Sequence, residues 1–142
     1  MKVKNIYDKV ADIMDSLTGA GQPLAKSYSY PEAKPDLFPC SIMDLSAEIL
    51  QEDLASRTKW LTVNVIVRVI MRQKNTEQAT LQRIDMLDKI LDRFRDSDVY
   101  DDLGGVADIA DISSVTPVFV VDSEQLFGFD IVITAKKAVS VN

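Results

Sequence analysis

Apolar and polar residues alternate most regularly along residues 59–72. Read with a period of two, one side of this stretch is entirely apolar, while the other side mixes apolar, polar and basic residues. The alternation predicts a β-strand with one face on a core, and the many Val and Ile residues favour a strand over a helix. At ~3.3 Å per residue the strand would span roughly 46 Å, which is more than one small core needs. The apolar side consists of Leu61, Val63, Val65, Val67, Val69 and Met71.

The mixed side of this strand is a candidate interface with a partner molecule. If helices cover the apolar side of the sheet, the mixed side faces either water or another molecule. Large apolar residues scattered over an uncovered sheet face usually mark a contact surface. The candidate interface residues are Trp60, Ile66, Arg68, Ile70 and Arg72.

Two segments carry the 3.6-residue period of amphipathic helices. Residues 3–17 repeat apolar residues at steps of three and four, and residues 76–96 do the same. Asn75 and Gln78 have the spacing of a capping box, which favours a helix beginning at this point. The expected inward stripe of the second helix is Leu81, Ile84, Leu87, Leu91 and Phe94, with Ile90 beside it.

Three further segments are expected to form strands. Residues 37–45 predict a short strand, and residues 127–137 alternate most cleanly, as in a half-buried antiparallel strand. Residues 108–121 predict another strand, in which Pro117 lacks an N–H and therefore indicates an edge or a bulge.

The connecting segments are less regular. Glycine and proline residues between about 18 and 36 predict a long loop. Residues 46–58 leave two interpretations open: a short helix capped by Ser46, or one strand of an extended hairpin arm at about 46–62.

The order of these elements predicts the fold class. Two helices suffice to cover one face of a sheet built from four strands. A length of 142 residues suits one domain. We therefore expect a single α+β domain, a mostly antiparallel four-stranded sheet with two helices packed on one face.

Composition offers little catalytic chemistry. The chain has no histidine, and its one cysteine, Cys40, excludes an internal disulfide and is expected to be buried. The sequence lacks a glycine-rich phosphate loop and a cluster of ligands at metal spacing. The net charge of −6 argues against a dedicated nucleic-acid binder, and no apolar run reaches the ~20 residues of a membrane span. We expect no catalytic residue, cofactor or metal.

An acidic turn at residues 97–106 holds Asp98, Asp101 and Asp102 close together, next to two glycines. Carboxylates attract hard cations, but the spacing does not fit an EF-hand. A solvated acidic turn is the preferred interpretation.

Five features follow one another in a characteristic order. They are the N-terminal helix, a proline-rich approach (Pro31, Pro35, Pro39), the Val-rich strand at residues 60–67, the helix at 76–96 and the hairpin that ends in residues 127–137. In this order and in size the chain resembles the tail terminator (tail-completion) proteins of long-tailed bacteriophages. The likeness covers most of the chain and is one of pattern.

The resemblance implies a structural role in the virion, at the tail neck, after assembly in the host cytoplasm. Six copies would form a ring that caps the tail tube, ends its polymerisation and joins it to the head connector. DNA would pass through the ring without specific binding, and the acidic turn at 97–106 would line the lumen. Three alternatives remain: another head–tail neck protein, a non-viral α+β binding module with an unknown ligand, and an enzyme that uses the acidic turn with a metal.

Overall fold

The computed structural model describes residues 2–32, 35–55, 57–72, 76–121 and 125–140. This part of the chain forms a single α+β domain, in which two helices pack against an open, mostly antiparallel sheet, as predicted. The elements in chain order are α1 (Lys2–Asp15), β1 (Lys26–Tyr28), β2 (Cys40–Ala55), β3 (Thr58–Arg72), α2 (Thr76–Phe94), β4 (Ile109–Val121) and β5 (Gln125–Ser140).

The described strands follow the order β1-β2-β3-β5-β4, so the long strand β3 lies at the centre of the sheet. Strand β1 is parallel to β2, and all other neighbours are antiparallel. The expectation of four strands is corrected to five in the described part of the chain. The additional strand, β1, lies within the segment predicted as a loop, and its three residues are too few to show a period.

Burial confirms the predicted face of β3. All six residues of its apolar side are at most 6% exposed, and they share one core cluster with apolar residues of α1 and α2. Both helices therefore cover the same face of the sheet. Strand β5 contributes Phe129, Ile131 and Ile133 to this cluster, directly opposite Val69, Val67 and Val65 of β3.

The predicted stripe of α2 is only partly correct. Met86, Ile90 and Phe94 face the core, whereas Leu81 and Ile84 are 63% and 54% exposed. Residues advance by about 100° around a helix, so the apolar residues of α2 cover too wide an arc for one flat sheet to bury. The sheet buries the side of α2 that carries Met86, Ile90 and Phe94. Leu87 and Leu91 are half-buried at its margin.

Residues 46–55 belong to β2, which pairs with β3 as a long hairpin, so the helical interpretation of this segment is wrong. The pairing shifts register between Leu45 and Ile49. Three residues of β2, 46–48, stand against one residue of β3 at this shift, so the segment carries two extra residues before pairing resumes in the same phase.

Strand β4 is the outermost strand on its side of the sheet, as Pro117 predicted. Pro117 lies opposite Phe129 in an unbroken register, and a register shift occurs earlier, between Ile112 and Ser114. Proline fits an edge strand because an N–H that points away from the sheet is not needed for pairing.

Candidate subunit interface

The open face is the side of the sheet that the helices do not cover. Its residues occupy alternate positions along β3 and the facing positions of β5, and the registers of β2 and β4 extend it on both sides. The central pairs are Trp60–Ala138, Thr62–Lys136, Asn64–Thr134, Ile66–Val132, Arg68–Asp130, Ile70–Gly128 and Arg72–Leu126. All five predicted interface residues lie here, in one line along β3.

The chain itself covers one end of the open face. Ile70 is only 7% exposed, because it packs with Tyr28 and Cys40 in a second cluster to which Phe38 contributes. The Tyr28 hydroxyl donates a hydrogen bond to the Asp36 carboxylate at 2.9 Å, which ties the loop after β1 to this cluster. Ile70 therefore presents little accessible surface in this structure.

Arg72 packs against Phe38, one of the residues that cover this end of the open face. Its guanidinium lies 4.5 Å from the centre of the Phe38 ring, at cation–π distance. Gly128, opposite Ile70, adds no side chain to this end of the open face. The Arg72 side chain therefore contributes to the intramolecular structure of the open face.

Arg68 is engaged by a residue that the sequence analysis did not single out. Its Nε and Nη2 atoms donate to the two Asp130 carboxylate oxygens at 2.8 and 3.0 Å. The hydrogen bond to Asp130 raises the pKa of Arg68. A partner molecule would therefore contact the Arg68–Asp130 ion pair, whose two charges balance, and not a lone cation. The two residues are 62 positions apart, so no local pattern could have found Asp130.

Trp60 and Ile66 are half-buried on the part of the open face that the loop does not cover. Two polar rows, Thr62–Lys136 and Asn64–Thr134, separate them. In the second row, the Thr134 hydroxyl lies 2.7 Å from Asn64 Oδ1 and 2.9 Å from Ser113 Oγ. The open face thus presents apolar side chains at Trp60 and Ile66, divided by two polar rows.

Each aspartate of the acidic turn has a different environment. The Asp98 carboxylate pairs with Arg93 at 3.1 Å, and this contact lowers the pKa of Asp98. The Asp102 carboxylate accepts a hydrogen bond from the Gly104 N–H at 3.0 Å, and Asp101 adopts a left-handed backbone with φ of 66°. The described residues contain no group of three or more acidic or cysteine side chains arranged to hold a metal.

A groove runs between α2 and β4 on the helix-covered side of the sheet. It comprises two adjoining cavities of about 470 and 370 Å³, which share Val115. Its apolar lining includes Ile84, Leu87, Leu91, Ile112 and Pro117. The sequence signal for this groove was the wide apolar arc of α2, which the sequence analysis interpreted as a single inward stripe.

The two outer edges of the sheet are also open. Strand β1 pairs only with the first three residues of β2, and no described strand pairs with the outer side of residues 43–55. Strand β4 has β5 on one side and no described strand on the other. Unpaired N–H and C=O groups along an edge form a template for another strand.

Within the described residues, no helix is long and apolar enough to cross a membrane. The chain matches no protein-family model, and no curated protein is significantly similar to it in sequence.

Proposed function

We propose that this chain is a structural protein of a bacteriophage tail. Six copies form a ring on the end of the tail tube, stop its growth and provide the attachment surface for the head connector. The proposal rests on the resemblance of element order to tail terminator proteins. The structural observation that carries it is a sheet open at both edges and on one face, with apolar side chains at Trp60 and Ile66.

The distribution of charge supports passage of DNA without binding. The segment from α2 to the start of β4, residues 76–108, holds nine acidic and four basic residues, so it carries five of the six net negative charges. DNA carries one charge per ~1.7 Å of helix axis, so an acidic surface repels it. We place the turn that contains Asp98, Asp101 and Asp102 at the ring lumen.

The test is the state of assembly, alone and with tail tubes. Native mass spectrometry of the free protein and negative-stain imaging of tubes incubated with it should show a six-membered ring at one tube end, built from 15.8 kDa chains. Tubes capped in this way should stop elongating when tube subunits are added. A protein that stays monomeric on tube ends, or leaves their elongation unchanged, contradicts the proposal.

The groove favours a second candidate function. Cavities of about 470 and 370 Å³ are within the range of small-molecule sites, ≈300–1,000 Å³. A non-viral binding module would use this groove as a monomer or dimer. Binding of a small molecule that shifts the amide resonances of residues lining the groove, with no affinity for tubes, would support the second candidate. A role elsewhere in the head–tail neck would instead give a ring that binds the connector but not the tube.

A further inference from the structure

Two edges of equal length lie at opposite ends of the sheet. Strand β2 has 16 residues, of which three pair with β1, so 13 have an open outer side within the described structure. Strand β4 also has 13 residues, and no described strand pairs with its outer side, although the Ala110 N–H donates to the Asp101 carbonyl. Each edge offers the other a matching length of unpaired backbone.

The strand directions suit pairing between copies. Strand β2 is antiparallel to β3, β3 to β5, and β5 to β4, so β4 and β2 run in opposite directions. Copies related by rotation about an axis roughly along the strands keep these directions. Strand β4 of one copy and β2 of the next would then meet as an antiparallel pair, and such head-to-tail contacts form a ring when the rotation between copies closes.

We propose that β4 of one copy pairs with residues 43–55 of β2 in the next copy, so that a single sheet continues around the ring. This inference rests on the proposed function for the ring itself, and it adds which surfaces form the contact. The occupant of each open edge is a second copy of this chain.

The position of β1 requires an offset between neighbours. Cys40 and Ile42 lie level with Val118 and Thr116 when the register is followed across the sheet. Without an offset, β1 of the next copy would collide with that part of β4. Sliding the next copy along the strands brings its open segment alongside β4. A stagger of this kind is what closure of a sheet into a barrel requires.

In this arrangement the neighbouring copy covers the groove between α2 and β4. Helix α1 packs over β1, β2 and β3, so pairing brings α1 of the next copy beside α2. Ile84, an exposed apolar residue of α2 that lines the groove, would lie against that helix layer. Val115 and Pro117, which line the groove, would no longer border solvent. One contact thus accounts for both open edges and for the apolar groove.

Paired cysteines test the contact directly. Glu52 in β2 and Ser114 in β4 are exposed, and both belong to the open face. Within one copy three strand spacings of ~4.8 Å separate β2 from β4, too far for a disulfide. A disulfide between Glu52→Cys and Ser114→Cys can therefore form only between copies. Asp111→Cys and Thr116→Cys, each combined with Glu52→Cys, cover the neighbouring registers.

The matched control places the second cysteine elsewhere. Glu52→Cys is combined with Asp12→Cys, which is exposed on α1. Cys40 stays in all variants, because it is completely buried and burial raises the pKa of its thiol to about 11. The unaltered protein therefore gives the baseline under mild oxidation.

We expect at least one edge pair to give a reducible ladder ending at the hexamer on a denaturing gel, while the control pair stays monomeric. Rings that form without any β4–β2 crosslink overturn the edge contact but leave the proposed function intact. A ladder without rings supports the edge contact and contradicts the proposed function. Absence of both overturns both.

Hydrogen exchange tests the contact between β4 and β2 in the protein without substitutions. On assembly, those amides of residues 111–116 that face away from β5 should slow to the rates of the central strands, because they gain partners across the new contact. Amides on the exposed face of α1 should keep their rates. Unchanged exchange along β4 in assembled rings overturns the edge contact.

Discussion

Ser41 is fully buried on the helix-covered side of β2, and its hydroxyl has no hydrogen-bond partner within the described structure. A buried hydroxyl without a partner costs ≈1–3 kcal/mol, because it loses its hydrogen bonds to water. We expect Ser41→Ala to raise the free energy of unfolding by about 1 kcal/mol in urea denaturation. Ser27, beside it in β1 and half-buried, is the control, and Ser27→Ala should have little effect. A destabilised Ser41→Ala variant would show that the hydroxyl has a partner.

Gly128 is required by the approach of β5 to β3. A Cβ atom at this position would lie 1.8 Å from the Val69 carbonyl oxygen. Gly128→Ala must push the two strands apart and should lower the free energy of unfolding by on the order of 3 kcal/mol or more. A fall in the midpoint of thermal unfolding measures this loss. Val132→Ala, on the same face of the same strand, removes only half-buried methyl groups and should cost less. Equal melting temperatures for the two variants would contradict this account.

Residue patterns predicted the two faces of β3. Alternation along β3 correctly assigned Trp60 and Ile66 to the face away from the helices. It could not predict the burial of Ile70, because the covering residues, such as Phe38, come from a distant loop. The Arg68–Asp130 pair likewise depends on the register between β3 and β5, which the sequence does not encode locally.

At the scale of elements, adjacent positions of β3 should respond very differently to a charge. Val65 is completely buried, so Val65→Asp places an unpaired carboxylate in the core and should abolish folding. Ile66 is half-buried on the open face, so Ile66→Asp should leave a folded monomer and impair ring assembly. Circular dichroism measures the first effect, and native mass spectrometry measures the second.

Ile66→Lys serves as a control for the sign of the charge. Asp44 of β2 lies directly opposite Ile66, so a second aspartate adds repulsion that a lysine does not. Both Ile66 variants should lose assembly if the apolar side chain matters. If both variants unfold as Val65→Asp does, position 66 is needed for the fold itself.

Elements with one dominant period were predictable, and elements with a disturbed period were not. Strand β5 and helix α1 each present a single apolar face, and the structure has both near the expected positions. Strand β2 carries two extra residues at its register shift between Leu45 and Ile49, and α2 has more apolar residues than the sheet can cover. Tertiary packing decided which of these residues are buried.

At the scale of the whole molecule, the acidic turn should affect DNA transit without affecting tail length. Replacing Asp98, Asp101 and Asp102 with Asn removes three charges per copy, or 18 in a ring of six. If the turn lines the lumen, DNA should pass more slowly at low salt and recover as salt screens the contact. Phage assembled with the variant and DNA release measured at several ionic strengths provide the test.

The triple variant needs a control for structural effects, because Asp98 pairs with Arg93 and Asp102 caps the turn at Gly104. Asn at position 102 can still accept that hydrogen bond. Asp12→Asn with Asp15→Asn removes exposed charges from α1 instead and should leave DNA release unchanged. Equal DNA release by both variants at every ionic strength would place the turn on the outer rim.

The central position of β3 also determines when the sheet can form during synthesis. Strand β3 pairs with β2 across a short turn, but its other neighbour, β5, begins more than fifty residues later, after α2 and β4. Pairing over such a separation requires closure of a long loop, which slows folding. On the ribosome, the β2–β3 hairpin can form early with one side of β3 unpaired until β5 emerges. Completion of the core is therefore a late event, and the nascent hairpin is the stage most exposed to aggregation.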